Sequence, residues 1–290
     1  MTLAPNKLNN SLKALIENAL SDTPKQNFIE LDKHTGFMEL QELGIKNPKL
    51  VRFSYLKHFL KSPLAYINAL TAGEIEWSDE MKLGGCFEDY LLNGKLRDRY
   101  VVIQDFEKPV PASNMAKTEN KQAFSDYTSI VDGVQRMGKI AVPQAVATKA
   151  KTLADTARKS RIWKGVQITE SHNRFTNECA DTGLAITGEV DFKTADSFND
   201  VKLCYDIGEF RRRIEYNYSY WLQCALYCKY DARGEPPKEF NFYVMQTVGL
   251  PIFAKFTVNQ ERILEYVARL DKTLNSLLGC LENGFFEVSV

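Results

Sequence analysis

The sequence has few histidines, no excess of either charge and no long apolar run. Its 290 residues include 3 histidines, and 37 basic residues balance 37 acidic ones. This balance excludes a strong overall positive field, so any contact with nucleic acid would need a local basic groove. No segment approaches the roughly 18 apolar residues of a membrane span, and the first residues lack the charged and apolar regions of a signal peptide. The pattern therefore predicts neither a membrane protein nor an exported one.

The cysteines also lack a recognisable pattern. The six of them form no CxxC pair and no framework of a secreted protein, which favours reduced thiols in a cytoplasmic protein. Cys224 and Cys228 are one helical turn apart and could ligate a metal. Because no other suitably spaced cysteines accompany them, we interpret the pair as small buried side chains on a helix.

The composition fits one sizeable globular chain. With 44% hydrophobic residues, it can bury a core as one large domain or as one domain with an appendage. Residues 1–48 are polar and mixed, with an amphipathic helix predicted over 12–20 and glycine and proline breakers after it. We therefore predict an N-terminal helical arm over 1–48 and the main domain over 49–290.

The most informative stretch, residues 183–227, begins with two strand-like runs. Residues 184–192 and 200–205 have strand character, and residues 194–197 between them are turn-like, which predicts a β-hairpin. Around it we predict a strand over 165–171, a long helix over 207–230, a second hairpin near Gly249 and an amphipathic closing helix over 260–282.

Period-2 alternation sorts the side chains of the first hairpin by face. In its first strand, Glu189 and Asp191 share one face. In its second strand, Asp200 and Lys202 project to one side. The opposite face of the first strand is predicted to hold Ile186, Gly188, Val190 and Phe192. A carboxylate from each strand and an ammonium group should thus meet at one end of a sheet.

Carboxylates placed in this way suit a hard divalent cation. Mg²⁺ and Mn²⁺ are typically bound through one or two protein carboxylates, water and substrate phosphates. Metal-assisted hydrolysis of a phosphodiester is the chemistry that this arrangement predicts.

The order of these residues resembles the PD-(D/E)XK nuclease superfamily. Within it, the chain is most similar to RecE-type phage and prophage exonucleases (the exonuclease VIII type), whose Asp-x-Lys strand precedes a Tyr-x-x-Gln-x-x-x-Tyr helix. The matching residues here are Asp191, Asp200, Lys202, Tyr220, Gln223 and Tyr227. Val190 departs from the proline that many members have before the first aspartate, and Leu203 departs from the threonine that usually follows the lysine.

The resemblance implies an α/β fold with a PD-(D/E)XK (restriction-endonuclease-like) core, in which helices flank a mixed central sheet. It implies that Asp191 and Asp200 are catalytic metal ligands and that Lys202 is catalytic beside them. Glu88, four residues after Gly84 on a helix, is the implied third ligand. The implied cofactor is Mg²⁺, for which Mn²⁺ is expected to substitute.

Four residues are candidates for nucleic-acid contacts. The resemblance implies that Gln223 and Tyr227, four apart on one helix, line the site; packing on the sheet is the alternative. Arg211 and Lys57 could meet phosphates, and the alternative for Lys57 is an ordinary solvated face. We expect Ser54 to cap the helix that contains Lys57.

A second Asp-x-Lys stands earlier in the chain. Asp191-Phe192-Lys193-Thr194 itself looks like the signature, but it would leave about ten surplus residues before Gln223 and give Asp200 and Lys202 no role. We therefore assign the signature to residues 200–202.

The resemblance implies an exonuclease that resects double-stranded DNA from its ends, 5′ to 3′, for phage-type recombination. The implied partners are DNA ends, a single-strand annealing protein of the RecT type and further copies of the chain in a homo-oligomer. Two alternatives stay open. One is a structure-specific or CRISPR-adaptation-type endonuclease of the same fold, and the other is a catalytically inactive DNA-binding module.

Overall fold

The computed structural model describes residues 49–72, 77–107, 118–217, 219–231 and 236–283. The predicted arm over 1–48 lies outside these residues, so the domain boundary stays a prediction. Over the described chain, helices flank a six-stranded mixed sheet, and a separate two-stranded parallel sheet lies beside it. The predicted α/β class with a mixed central sheet is confirmed. None of the described helices is both long and apolar enough to cross a membrane.

The elements follow one another in this order: β1 (Leu50–Arg52), α1 (Phe53–Phe59), α2 (Pro63–Thr71), α3 (Asp79–Asn93), β2 (Tyr100–Ile103), α4 (Thr118–Arg136), β3 (Ile140–Pro143), α5 (Gln144–Lys159), β4 (Glu170–Glu178), β5 (Ala185–Lys193), β6 (Ser197–Cys204), α6 (Phe210–Arg212), a π-helical turn (Arg213–Asn217), α7 (Tyr220–Tyr230), β7 (Glu239–Gln246), β8 (Phe253–Asn259) and α8 (Gln260–Asn283).

Strand β5 lies at a fork in the central sheet. One edge pairs with β4 in antiparallel orientation, with a break at Asp191 and His172. The other edge pairs with β1 over residues 185–187 and with β6 only at Phe192 and Lys193. Between these pairings, β5 and β6 diverge. Beyond the fork, β6 pairs in parallel with β7, which pairs antiparallel with β8.

Two apolar clusters cover opposite faces of the sheet. On β7, Phe242 and Val244 pack in the first cluster, with residues of α1, α2, α7 and α8. The alternate residues Tyr243 and Met245 pack in the second, with residues of α3 and α5. Period-2 alternation of a strand buried on both sides produces this division. The fork therefore lies between two layers of helices.

The predicted alternation in β5 fails at one point. Val190 packs in the first cluster, whereas Phe192 packs in the second, where its ring lies 5.3 Å from that of Tyr243. Opposite this switch, on β4, His172 has a φ of 52°. Positive φ is uncommon for residues other than glycine, although histidine adopts it more often than most. Both strands are thus irregular beside Asp191, and the side chains on either side of it point to opposite faces of the sheet. A strict period of 2 does not predict this.

Several predicted boundaries are corrected. The strand expected over 165–171 is β4, which begins at Glu170. The helix expected over 207–230 is interrupted, because Ser219 has a φ of 52° and α7 begins after it. Helix α1 begins at Phe53, so Ser54 lies inside it and does not cap it. The second hairpin and the closing helix agree with the prediction.

Helix α3 begins before its glycine pair instead of at it. Ser78 caps the helix by accepting from the N–H of Met81, and Gly84 and Gly85 lie within the helix. A Cβ at Gly85 would lie 2.0 Å from the hydroxyl of Tyr100 in β2, whereas a Cβ at Gly84 would meet no atom within 4 Å. Gly85 therefore permits α3 to approach the small sheet closely.

The glycine pair gives a matched prediction. Gly84→Ala should raise the free energy of unfolding by about 0.5–1 kcal/mol, because alanine loses less backbone entropy in a helix. Gly85→Ala should lower it by about 1–3 kcal/mol, because the added methyl overpacks a buried contact. Urea unfolding of both variants measures the two changes. Adding Tyr100→Phe to Gly85→Ala should restore part of the loss, and equal effects of the two alanine variants would contradict the packing argument.

Candidate active site

Asp191 and Asp200 lie on either side of the fork. The gap between β5 and β6 lets Asp191 Oδ2 accept a hydrogen bond of 2.6 Å from the backbone N–H of Val201. Asp200 is fully buried; its Oδ1 accepts from Gln223 Nε2 at 2.7 Å, and its Oδ2 forms an ion pair with Lys202. The structure therefore brings Asp191, Asp200 and Lys202 together, as the sequence predicted.

The charges at the fork are not balanced. Burial raises the pKa of Asp191 well above its usual range, and the nearby carboxylates of Asp200 and Glu88 raise it further. Burial also raises the pKa of Asp200, although Lys202 and the Gln223 amide oppose this. The two aspartates raise the pKa of Lys202 against the effect of its own burial, so it stays charged. One ammonium thus faces two carboxylates in a place with little water, and an added cation would relieve the imbalance.

A second cation approaches the fork from α1. Burial lowers the pKa of Lys57, and the charges of Lys61 and then Lys202 lower it further, which places Lys57 on the same side of the site as Lys202. Lys57 Nζ lies 5.9 Å from the Phe53 ring centroid, and Lys202 Nζ lies 5.4 Å from that of Tyr220. The two rings are 6.4 Å apart. Lys57 and Lys202 therefore lie near each other, each against one of two neighbouring aromatic rings, and both add positive charge beside the acidic fork.

Gln223 and Tyr227 lie at the site, and their contact with nucleic acid stays a prediction. Both are buried, and Gln223 Nε2 donates to Asp200 and also to the Tyr227 hydroxyl, at 3.1 Å. A buried pair bonded to a carboxylate holds that carboxylate in place and does not line an open groove. Among the described residues, Gln223 Oε1 is buried without a hydrogen-bond partner.

Glu88 belongs to an adjoining charged network. Its Oε1 lies 3.2 Å from Arg97 Nη2 and 3.0 Å from His172 Nδ1. Arg97 Nη1 reaches Glu189 Oε1 at 2.9 Å, and exposed Arg174 bonds the other oxygen of Glu189. Glu88 also raises the pKa of Asp191 and Asp200, so it lies between this network and the fork.

Three residues of the network could hold a metal by the proximity of their donor atoms. Ligand atoms of Glu88, His172 and Glu189 lie within 4.8 Å of one another; we refer to these three residues as the Glu–His–Glu group. Burial lowers the pKa of His172, but hydrogen bonds to Glu189 and Glu88 outweigh it and raise the pKa to about 9. The two carboxylates thus favour the charged form of the imidazole.

Two other candidates lie apart from the fork carboxylates. Lys193, of the earlier Asp-x-Lys, is ion-paired with Asp231 Oδ2 at 2.9 Å and with Glu170 Oε2 at 3.2 Å. This favours residues 200–202 as the signature. Arg211 is exposed in α6, and within the described part of the chain it makes no contact with the carboxylates.

Period-2 alternation anticipates only part of the network. It places Glu189 on the same face as Asp191, but the partners of Glu189 come from distant segments. His172 has no nucleophile partner nearby in sequence, so no motif marks it. Arg97 lies in the loop after α3, and no motif marks it. Only the tertiary fold brings these residues together.

The comparisons with known proteins support the fold. No protein-family model and no curated protein matches the sequence. A crystal structure described as a "putative exonuclease" from Eubacterium rectale is similar, with a TM-score of 0.56 and 14% sequence identity over 89% of this chain and 88% of that chain. The likeness extends over nearly the whole of both chains, so the two share a fold.

The raised pKa of Asp191 gives a prediction for the metal-free protein. An ionised carboxylate with a raised folded-state pKa disfavours the folded state, so Asp191→Asn should increase the free energy of unfolding at neutral pH. The increase should be full above the folded-state pKa, shrink as the pH falls below it and vanish only below the unfolded-state pKa, because only there is the wild-type carboxyl protonated in both states. Urea unfolding in EDTA across this range measures it. Exposed Asp155 is the control: its hydrogen bond to Lys151 lowers its pKa, so Asp155→Asn should bring no stabilisation.

The contacts of Gln223 give a second prediction. Gln223→Ala should lower the free energy of unfolding by about 1–3 kcal/mol, because buried Asp200 loses a donor. Tyr227→Phe should lower the free energy of unfolding less, since it removes only the hydroxyl that accepts a hydrogen bond from the Gln223 amide. Urea unfolding of both variants is the measurement. A larger loss for Tyr227→Phe would show that the pair acts by packing and not through Asp200.

Proposed function

We propose that this chain is a metal-dependent deoxyribonuclease of the PD-(D/E)XK type that hydrolyses phosphodiester bonds. The observation that supports it is the fork, where Asp191 and buried Asp200 face one ion-paired lysine, Lys202. Two carboxylates and an ammonium fixed in this way suit a reaction in which negative charge develops on a phosphate.

The donor set fits Mg²⁺, with Mn²⁺ as a substitute. Asp191, Asp200 and Glu88 would hold the ion, since their oxygens are hard ligands and the fork lacks positive charge. Bound there, the ion would supply a water ionised near neutral pH and neutralise charge on the phosphate. The fit follows from the imbalance of charge described above.

The residues of the chain have separate tasks in this proposal. The Val201 N–H and the Gln223 amide hold one oxygen each of Asp191 and Asp200, which fixes the carboxylates before substrate binds. Lys202 places a permanent positive charge where the scissile phosphate becomes more negative. Lys57, near Lys202, can bind a neighbouring phosphate, and its pKa is lowered by burial and then by the like charges around it.

We further propose the RecE-like exonuclease subtype. Its support is the contact between the members of the sequence motif: Gln223 bonds both Asp200 and Tyr227, and Lys202 lies against the Tyr220 ring. The substrate would be a double-stranded DNA end, resected 5′ to 3′, and the partners a RecT-type annealing protein and further copies of the chain. A cytoplasmic location agrees with the free thiols of all six cysteines.

Two lysine variants test the proposal. Lys202→Ala should lower Mg²⁺-dependent cleavage of linear duplex DNA by 100-fold or more, on the order of the loss when one charge-stabilising donor is removed. Lys193→Ala should stay within severalfold of wild type, because Lys193 is paired with Asp231 and Glu170. Asp200→Asn should be inactive while keeping a cooperative unfolding transition. Release of label from DNA marked separately at each end measures rate and polarity together.

Each result has a clear opposite. If Lys193→Ala lost more cleavage activity than Lys202→Ala, the Asp-x-Lys signature would be residues 191–193 instead of 200–202. Full activity after dialysis against EDTA would refute metal dependence. Cleavage of a closed circular duplex at the rate of the linear one would identify an endonuclease, and DNA binding without cleavage in Mg²⁺ or Mn²⁺ would identify an inactive binding module.

A further inference from the structure

Arg97 lies among three carboxylates beside the fork. Its Nη2 is 3.2 Å from Glu88 Oε1, its Nη1 is 2.9 Å from Glu189 Oε1 and its Nε is 2.6 Å from Asp89 Oδ1. The guanidinium therefore contacts both acidic members of the Glu–His–Glu group. An ion bound by that group through these two Oε1 atoms would have to displace the guanidinium.

We propose that Arg97 is a built-in cation that closes the Glu–His–Glu group to metal ions, so that the chain binds a single divalent ion, at the fork. This inference rests on the proposed function, because it assumes that the fork is the metal site. Arg97 is on this view a positioning residue. It determines which carboxylates remain available to a metal, without itself touching substrate.

The anchoring of Arg97 shows that its position is built into the fold. Besides the Nε contact, its backbone N–H donates to Asp89 Oδ2 at 2.9 Å. Asp89 is fully buried on α3. A buried carboxylate needs compensation by charge and hydrogen bonds, and Arg97 provides both from one residue. The guanidinium is thus fixed by a contact that is independent of Glu88 and Glu189.

The contacts of Glu88 show what is left for the fork. Both Arg97 and His172 contact its Oε1, and within the described ranges no hydrogen bond or ion pair reaches its Oε2. One oxygen is held by the network and the other is free. This division would let Glu88 ligate an ion at the fork without leaving its ion pairs.

The number of Mn²⁺ ions bound tests the proposal without DNA or turnover. Calorimetric titration, with the EPR signal of free Mn²⁺ as a second readout, should give one ion per wild-type chain. Arg97→Ala should bind a second ion, because the vacated space leaves two carboxylates and the His172 imidazole, whose proton the incoming ion displaces, as ligands. Adding His172→Ala to that variant should return the count to one.

Two matched variants control for charge. Arg97→Lys keeps a cation at the position and should still bind one ion. Arg174→Ala also removes a cation from Glu189, but this cation is exposed and contacts Oε2 instead of Oε1. The variant should therefore still bind one ion. A folded Arg97→Ala that binds only one ion would overturn the proposal.

A further variant tests the idea even if Arg97→Ala does not fold. In the wild-type background, His172→Ala should leave the count at one. A fall from two ions to one would show that the Glu–His–Glu group is itself a metal site, contrary to the proposal. A wild type that binds no Mn²⁺ and cleaves no DNA would refute the proposed function and the inference together. If the wild type binds one Mn²⁺ ion and cleaves DNA, and a folded Arg97→Ala also binds one ion, only the inference about Arg97 is refuted.

Discussion

The charge imbalance at the fork is the constraint on which the rest of the site depends. Asp191 and Asp200 are placed close together where burial disfavours their ionised forms, and Lys202 compensates only part of the charge. Such an arrangement lowers the stability of the protein by itself, since like charges in low dielectric repel strongly. A fold keeps it where the strain serves chemistry. The surrounding hydrogen bonds, from Val201 and Gln223, hold the carboxylates without neutralising them.

The fork exists because the sheet is not continuous. β5 pairs with β1 at one end and with β6 at the other, and the gap between them gives Asp191 access to the backbone of β6. On the opposite edge, β4 remains paired, and the positive φ of His172 accompanies the change of face beside Asp191. The same irregularity places His172 against Glu88. One local departure from regular strand geometry thus shapes both the fork and the network beside it.

Two charged groups adjoin each other and differ in balance. At the fork, the carboxylates exceed the cations in contact with them. In the adjoining network, Arg97, Arg174 and His172 face Glu88, Asp89 and Glu189 with matched charge. Glu88 belongs to both groups. This contrast explains why proximity of ligand atoms alone is a poor guide to a metal site: the cations already present decide which carboxylates can accept another.

The sequence by itself determined the α/β class, the hairpin with its two aspartates and lysine, and the helix of Gln223 and Tyr227, because short-range periodicity and spacing encode these features. It could not determine the burial of Gln223 against Asp200, the change of face before Phe192 or the role of Arg97. The broken helix after β6 also depends on a backbone conformation, at Ser219, that has no simple sequence signal. These features arise from contacts between segments far apart in the chain, such as Arg97 with Glu189. Tertiary packing decides them, since local propensity is weaker than the burial and pairing of charge that the whole fold imposes.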